Sequence, residues 1–361
     1  MNGYRLFTIV LLFSLLSDSR FVDRQVYAVP SQAAADLTPN AQMLALKEPW
    51  RYPFSRLRLG CPVHDDTTQQ FWGAFTARHD NVSNDSNAHG FTANRFGIAI
   101  GNDSKPFSFN SKKVTEGEDG YTSNVTISIG GGGKISGTMF HYSEPTLRQA
   151  NGNVRVQDFT IGSYGLSHMV GDSVEVKSYI GYSHQRYHFD RNFFNQHYRG
   201  KTSSDTLSVS YEVTRPFRVQ QGIWLKPLSA IDFEQTWMWG YRETGGANAL
   251  AYRSSSLERL MLRIGLGCDF TLRKGLVLNG RIQYAMQLNT REYAKHRVRS
   301  IENGSAASIL GSRIGRDYLN IGIGGNWRFN NRGDGLFVNY DVKLYDRATL
   351  HIGEVGFVRR W

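Results

Sequence analysis

The sequence predicts an all-β chain that closes into a transmembrane, up-and-down antiparallel β-barrel of about 12 strands. Three observations predict it. From residue 70 onward, apolar side chains recur at every second position over segments of about ten to twelve residues. That length suits a tilted membrane-crossing strand better than a strand of a soluble protein. The alternate positions carry Arg, Lys, Asp and Glu, which a dry core penalises heavily and a wet lumen tolerates. The connections alternate between short and long, the sidedness of an outer-membrane barrel with turns on the periplasmic side and loops outside.

The chain begins with a segment, 1–28, that reads as an export signal. Arg5 supplies the positive end and residues 6–16 the apolar stretch, which is too short to cross a bilayer as a helix. Cleavage after Ser19 or after Ala28 fits equally well. Residues 29–69 are a short mixed segment. In it, Thr38 is placed to cap a helix, Pro39 to start it, 40–48 to form it and Pro49 to end it. A helix of about nine residues is marginal alone in water, so this one needs a partner surface.

The remainder, 70–361, is the barrel. Strands are expected at 71–79, 91–101, 134–144, 158–169, 173–189, 205–217, 223–241, 257–272, 276–288, 318–329, 336–345 and 350–361. The alternation is clearest at Leu260, Leu262, Ile264, Leu266, Cys268, Phe270 and Leu272. In 318–329, Leu319, Ile321, Ile323 and Trp327 alternate with Asn320, Gly322, Gly324 and Asn326. Short connections fall at 170–172, 218–222, 273–275 and 330–334, and long ones at 190–204, 242–256 and 289–316. One connection, 102–133, breaks the alternation; its 124–129 stretch suits a small hairpin arm. The glycines at 130–133 make a flexible turn, because the Gly-Lys-Ser/Thr ending of a phosphate loop is missing. The polar face places Glu212, Glu234, Arg263, Asp269, Arg281, Asp341 and Lys343 along the pore.

Mean hydropathy is −0.41. That excludes a bundle of membrane helices but not a barrel, half of whose strand residues face inward. Net charge is +11. It serves loop solvation or attraction to an anionic surface such as lipopolysaccharide. The basic residues are dispersed and stripe no helix, so nucleic acid is not an expected partner. Cys61 and Cys268 are not expected to pair, and their spacing is not that of a metal site.

Several stretches together resemble the translocator β-domain of autotransporters, the type V secretion proteins. They are Phe71-Trp72-Gly73-Ala74-Phe75, Phe96-Gly97-Ile98-Ala99-Ile100-Gly101-Asn102-Asp103, Ser210-Tyr211-Glu212, Leu225-Lys226-Pro227-Leu228-Ser229-Ala230, Leu262-Arg263-Ile264-Gly265-Leu266 and Gly356-Phe357-Val358-Arg359-Arg360-Trp361. The resemblance covers about 70–361 and implies a barrel of twelve strands threaded by a helix, which would be the 39–48 segment. A helix roughly 10 Å across fits such a lumen. It also implies residence in the outer membrane of a diderm bacterium, in contact with its lipid and lipopolysaccharide. Periplasmic chaperones would deliver a monomeric chain, and the barrel-assembly machinery would read Val355, Phe357 and Trp361 as the assembly signal. Arg359 departs from the apolar or aromatic third-last residue of the family. The expected role is to anchor or translocate an N-terminal passenger, here only about forty residues once the signal is removed.

Some such translocators cut their own passenger within the pore. Asn40, Glu212 and Glu234 are the matching residues here, set against a role as ion-pair partners of Arg263 or Arg281. A barrel phospholipase would need Ser, His and Asn on the outer face, and His141-Tyr142-Ser143 offers only the composition. His184, His188 and His197 read as interfacial or loop residues rather than metal ligands. A passive pore, or a surface adhesin built on long loops, is the remaining alternative; Arg291, Lys295, His296, Arg297 and Arg299 make the longest loop basic. The expectation is a non-enzymatic barrel without cofactor or metal.

Overall fold

The computed structural model describes residues 35–58, 70–85, 88–104, 133–169, 174–273, 275–289, 293–329 and 334–360. Twelve antiparallel strands form the wall: β1 Gln70–Val82, β2 Phe91–Ser104, β3 Gly133–Ser143, β4 Gly152–Met169, β5 Val174–Phe193 and β6 Gln196–Thr214. They continue as β7 Ile223–Met238, β8 Ser255–Arg273, β9 Leu276–Gln287, β10 Asp317–Arg328, β11 Gly335–Tyr345 and β12 Ala348–Arg360. Each pairs with its sequence neighbours, and β1 pairs with both β2 and β12, so the sheet closes and has no free edge. Closure is what lets strands cross lipid, because every backbone N–H and C=O of the wall finds a partner strand.

The twelve strands lie where alternation places them, most of them longer at one end or both, while β6 stops at Thr214 rather than 217 and β7 at Met238 rather than 241. The longest are β5 at 20 residues, β6 and β8 at 19 each and β4 at 18, so that β4, β5 and β6 form a continuous tall section of wall. The 190–204 stretch, expected as a long loop, is instead the top of the β5–β6 hairpin, turned at Phe194 and Asn195 with φ of 47° and 59°. The other two long connections also carry structure. Strands Tyr241–Arg242, Leu250–Tyr252, Lys295–Ser300 and Ala306–Leu310 pair into a four-stranded sheet over the outer mouth. The expected arm at 124–129, the glycines at 130–132, the export signal, Cys61, Arg291 and Trp361 lie outside the described residues, while Gly133 opens β3.

The two faces of the wall differ as the pattern requires. Ile264 is 50% exposed, and Phe75, Phe96, Ile231, Ile282, Ile323 and Val338 also point outward, forming an apolar belt. A belt of that extent is the expected surface of a chain solvated by lipid. Cys268 lies on this face and is half-buried. Inside, aromatic rings lie flat over glycines of the next strand. A Cβ at Gly101 would sit 2.4 Å from the Trp72 ring, and one at Gly162 would sit 2.4 Å from the Tyr179 hydroxyl. Trp72 Nε1 donates to Tyr164 Oη at 2.7 Å, and Tyr164 in turn donates to Asp103.

The N-terminal segment occupies the lumen, but not as the single helix expected over 40–48. Helix α1, Leu37–Met43, is shorter and starts earlier. Its N-cap is Asp36, with no side-chain capping bond, and the Thr38 hydroxyl bonds to Tyr241 instead, at 2.6 Å. A second helix, α2, Arg51–Arg58, follows Pro49. Pro49 does not end the first helix, which stops at Met43, but precedes the second, and Pro53 falls in the first turn of α2, where a missing N–H costs nothing. Between the helices Glu48 adopts φ 57°, turning the chain at mid-lumen.

Candidate functional site: the occupied lumen

Residues 35–58 run down the barrel from the loop end to the turn end. At the loop end α1 is tied to the mouth. Asp36 accepts hydrogen bonds from His89 N at 2.7 Å, Gln149 Nε2 at 2.6 Å and Asn151 Nδ2 at 3.0 Å. Burial pushes its carboxyl pKa up, against the pull of these donors. Asn40 donates to Gln149 Oε1 at 2.8 Å and accepts from Ser312 N at 2.6 Å. Gln42 bonds to His296 Nε2 at 2.8 Å, which links α1 to the capping sheet. Leu37 and Ala41 pack among Leu250, Tyr252, Val298 and Ile309 of that sheet. Tyr187, Phe189, Tyr241 and Tyr252 form a stack beside them, with consecutive centroids 5.9, 5.0 and 4.7 Å apart.

At mid-lumen the contacts are ionic. Lys47 pairs with Asp158 and also reaches Thr160. The backbone N–H groups of Lys47 and Glu48 both donate to Glu234 Oε1, at 3.2 and 2.9 Å. Glu48 pairs with Lys343 and, at 3.3 Å, with Arg259, which also holds Glu234. Arg51 pairs with Asp341, which is shared with Arg281. Below, Trp50 lies 6.5 Å from Tyr179 and Tyr52 stacks on His141 at 4.5 Å.

The sequence-derived pore residues fall as follows. Glu212, Glu234, Arg263, Asp269, Asp341 and Lys343 are buried on the inward face, and the Arg281 side chain is 6% exposed. Glu234, Asp341 and Lys343 meet the N-terminal segment directly. Glu212 lies between Lys177 (3.2 Å) and Arg263 (3.3 Å), Arg263 also pairs with Asp232, and Asp269 pairs with Lys226. A wet channel was the reason expected for tolerating these charges. The reason found is ionic pairing: opposite charges meet in fixed hydrogen-bonded geometry around the inserted segment, which offsets much of their desolvation. Sequence reasoning missed Lys47, Arg51, Asp158 and Arg259. Only the isolated charges of the otherwise uncharged stretch from Leu37 to Ser55, Lys47-Glu48 and Arg51, hinted at them.

The chemistry weighed earlier is not assembled. Asn40 bonds to the mouth, while Glu212 is held in a different ion-pair group, so the three self-cleavage candidates do not converge. His141 and Ser143 point inward, His141 beside Thr76 at 3.2 Å and Ser143 donating to Asp158 at 3.2 Å. The outer-face lipase arrangement is therefore not formed. His184 pairs with Asp205 at 2.9 Å near the lipid boundary, and His188 and His197 are exposed on the tall hairpin. Among the described residues no three His, Cys, Asp or Glu side chains are grouped to hold a metal ion. Val355 and Phe357 lie on the outward face of β12. Lys295, Arg297 and Arg299 are exposed on the capping sheet, whereas His296 is buried beneath it.

A closed twelve-strand wall, apolar outside and filled by its own N-terminal segment, defines an outer-membrane translocator barrel. The chain belongs to the autotransporter family: its sequence matches the autotransporter beta-domain over residues 71–341. That places it in the outer membrane of a Gram-negative bacterium. Three solved structures share the fold. The translocator domain of the autotransporter NalP from Neisseria meningitidis is 14% identical with a TM-score of 0.68, over 91% of this chain and 100% of that one. The transport unit of AIDA-I from Escherichia coli is 12% identical with a TM-score of 0.56, over 90% of this chain and 99% of that one. The beta domain of the Bordetella autotransporter BrkA is 13% identical with a TM-score of 0.52, over 82% of this chain and 99% of that one. No curated protein matches the sequence.

Proposed function

We propose that this barrel anchors its own N-terminal segment across the outer membrane and presents the residues before Ala35 at the cell surface, without enzymatic activity. One observation carries the reading. Residues 35–58 span the lumen with Ala35 among the outer loops, and ion pairs from Lys47, Glu48 and Arg51 hold them to the wall. The seven inward charges expected from the sequence serve this reading as a keyed lining rather than as a selectivity filter. The export signal at 1–28, delivery by periplasmic chaperones and recognition of Val355, Phe357 and Trp361 by the barrel-assembly machinery belong to the same proposal. So do a monomeric state and contact with lipopolysaccharide.

Two measurements test it. Deleting 38–49 should raise single-channel conductance in planar bilayers; unchanged conductance removes the lumen segment from the mechanism. An epitope inserted immediately before Ala35 should be accessible to antibody on intact cells. An epitope detected only after permeabilisation contradicts surface presentation.

A further inference from the structure

The outward face of the tall β4–β5–β6 wall carries a cluster that neither lumen nor loops account for. In register across the three strands lie Arg155, His188 and Lys201. The row below is Gln157, Arg186 and Ser203, and the row above is Asn153, Asp190 and Arg199. Of these, Arg155, Gln157, His188, Asp190, Arg199 and Lys201, with Arg242 from the neighbouring connection, line a cavity of about 1010 Å³. Its lining has four basic side chains, Arg155, Arg199, Lys201 and Arg242, against two carboxylates, Glu144 and Asp190. Asp190 lies between two of the arginines, 3.9 Å from Arg155 and 3.6 Å from Arg199. Both arginine side chains are more than 70% exposed, at 75% and 81%.

No cation directly faces another across these strands, since Arg155 and Lys201 flank His188 and Arg199 faces Asp190, but the three rows hold four cations, Arg155, Arg186, Arg199 and Lys201, against the single carboxylate of Asp190, an imbalance that attracts an anion. Inside the barrel, buried lysines and arginines meet carboxylates; here the cations outnumber them. The position is also local. The corresponding row on the β12–β1–β2 wall, above Phe75 and Phe96, is His351, His79 and Asn94, with no lysine or arginine.

Height selects the ligand. The lipid-facing belt on this wall ends in Phe159 and Tyr182, both exposed aromatic rings of the interfacial kind. Arg155 lies four residues beyond Phe159, about 13 Å along a strand. At a tilt of roughly 40° that is about 10 Å above the ring. The polar layer of a phospholipid leaflet extends only about 5–8 Å beyond the hydrocarbon. The Arg186 row sits within that layer and the Arg155–His188–Lys201 row at or beyond its edge. Anionic groups at both heights, on a sugar-bearing lipid, match this spacing; a simple phospholipid reaches the lower row alone.

We propose that this wall is a binding site for the phosphorylated sugars of lipopolysaccharide in the outer leaflet, with Arg155, Arg199 and Lys201 as principal phosphate contacts and Arg186 below them. The site rests on the outer-membrane reading above and sharpens it from general contact to a defined face of the barrel.

The test uses full-length protein refolded in detergent, with heat-modifiable gel mobility confirming the closed barrel. Binding of a deep-rough lipopolysaccharide bearing both lipid A phosphates is measured by native mass spectrometry in the absence of divalent cations. The triple variant Arg155→Ala/Arg199→Ala/Lys201→Ala should bind about tenfold more weakly. Wild type should show a similar loss with enzymatically dephosphorylated lipopolysaccharide. His79→Ala/Asn94→Ala should change binding by less than about twofold. Equal binding by wild type and triple variant overturns the site, as does equal binding of phosphatidylglycerol. Displacement by millimolar inorganic phosphate overturns the glycolipid in favour of a free anion. Absence of the mobility shift would overturn the barrel reading itself, and the site with it.

Discussion

Replacing Glu48 by Ala tests whether the lumen segment is held by charge. Glu48 is buried and faces both Lys343 and Arg259. Arg259 keeps Glu234 after the substitution, so Lys343 is the cation left without a carboxylate. Breaking one partner of a buried pair costs roughly 3–5 kcal/mol. The retained Arg259–Glu234 pair argues for the lower end, about 3 kcal/mol, or on the order of a hundredfold in the opening equilibrium of the segment. Hydrogen exchange read by mass spectrometry on peptides covering 44–54 reports that equilibrium directly. The double variant Glu48→Ala/Lys343→Met removes the stranded charge and should recover most of the lost protection. Gel mobility monitors the wall throughout. A change in protection below about threefold in Glu48→Ala, or a double variant no better than the single one, would refute ionic keying of the segment.

Three further outcomes follow from the same structure. Ile264→Arg puts a charge on the exposed belt near mid-wall and should cost about 2–4 kcal/mol of folding into bilayers, read by urea titration; a loss below about 1 kcal/mol would contradict the lipid-facing assignment. Gly101→Val places a branched side chain where a Cβ already lies 2.4 Å from the Trp72 ring, so the temperature at which the compact gel band disappears should fall, by an overpacking cost of about 1–3 kcal/mol. An unchanged temperature would mean that the ring does not rest on this glycine. Burial holds the His296 imidazole down to about 4, so the folded cap binds fewer protons than the open one. Its contribution is therefore intact above the unfolded value of about 6.5 and declines as pH falls toward about 4, with about 2 kcal/mol gone by about pH 5. Exchange of 295–300, corrected for intrinsic rate, should accelerate between those pH values in wild type and not in His296→Gln.

Much of the wall was legible because its signal is local. Period-two alternation in 260–272 or 318–329 requires only that one face meet lipid and the other not, and each strand carries that requirement in its own residues. The ends of strands were less legible. In β5 and β6 the outward residues beyond the belt are polar, and the inward ones mix polar Gln185 and Arg191 with aromatic Tyr187, Phe189 and Tyr198, so alternation fades while backbone pairing continues to Phe193 and Gln196. The capping sheet was hidden for a related reason. Leu250–Tyr252 pairs with Val298–Ser300, and strands this short acquire stability only from that distant partner.

The lumen separates the two kinds of knowledge most clearly. From residues alone follow the crossing strands, the inward placement of Glu234, Asp341 and Lys343, and a short helix-forming stretch in need of a surface. The partners of those charges do not follow. Glu48 and Lys343 stand 295 positions apart, and only closure of β1 against β12 brings both to the same level of one cavity. Alternation fixes which way a side chain points. What it meets there depends on the circumference and stagger of the finished cylinder, a property of all twelve strands together and of none singly.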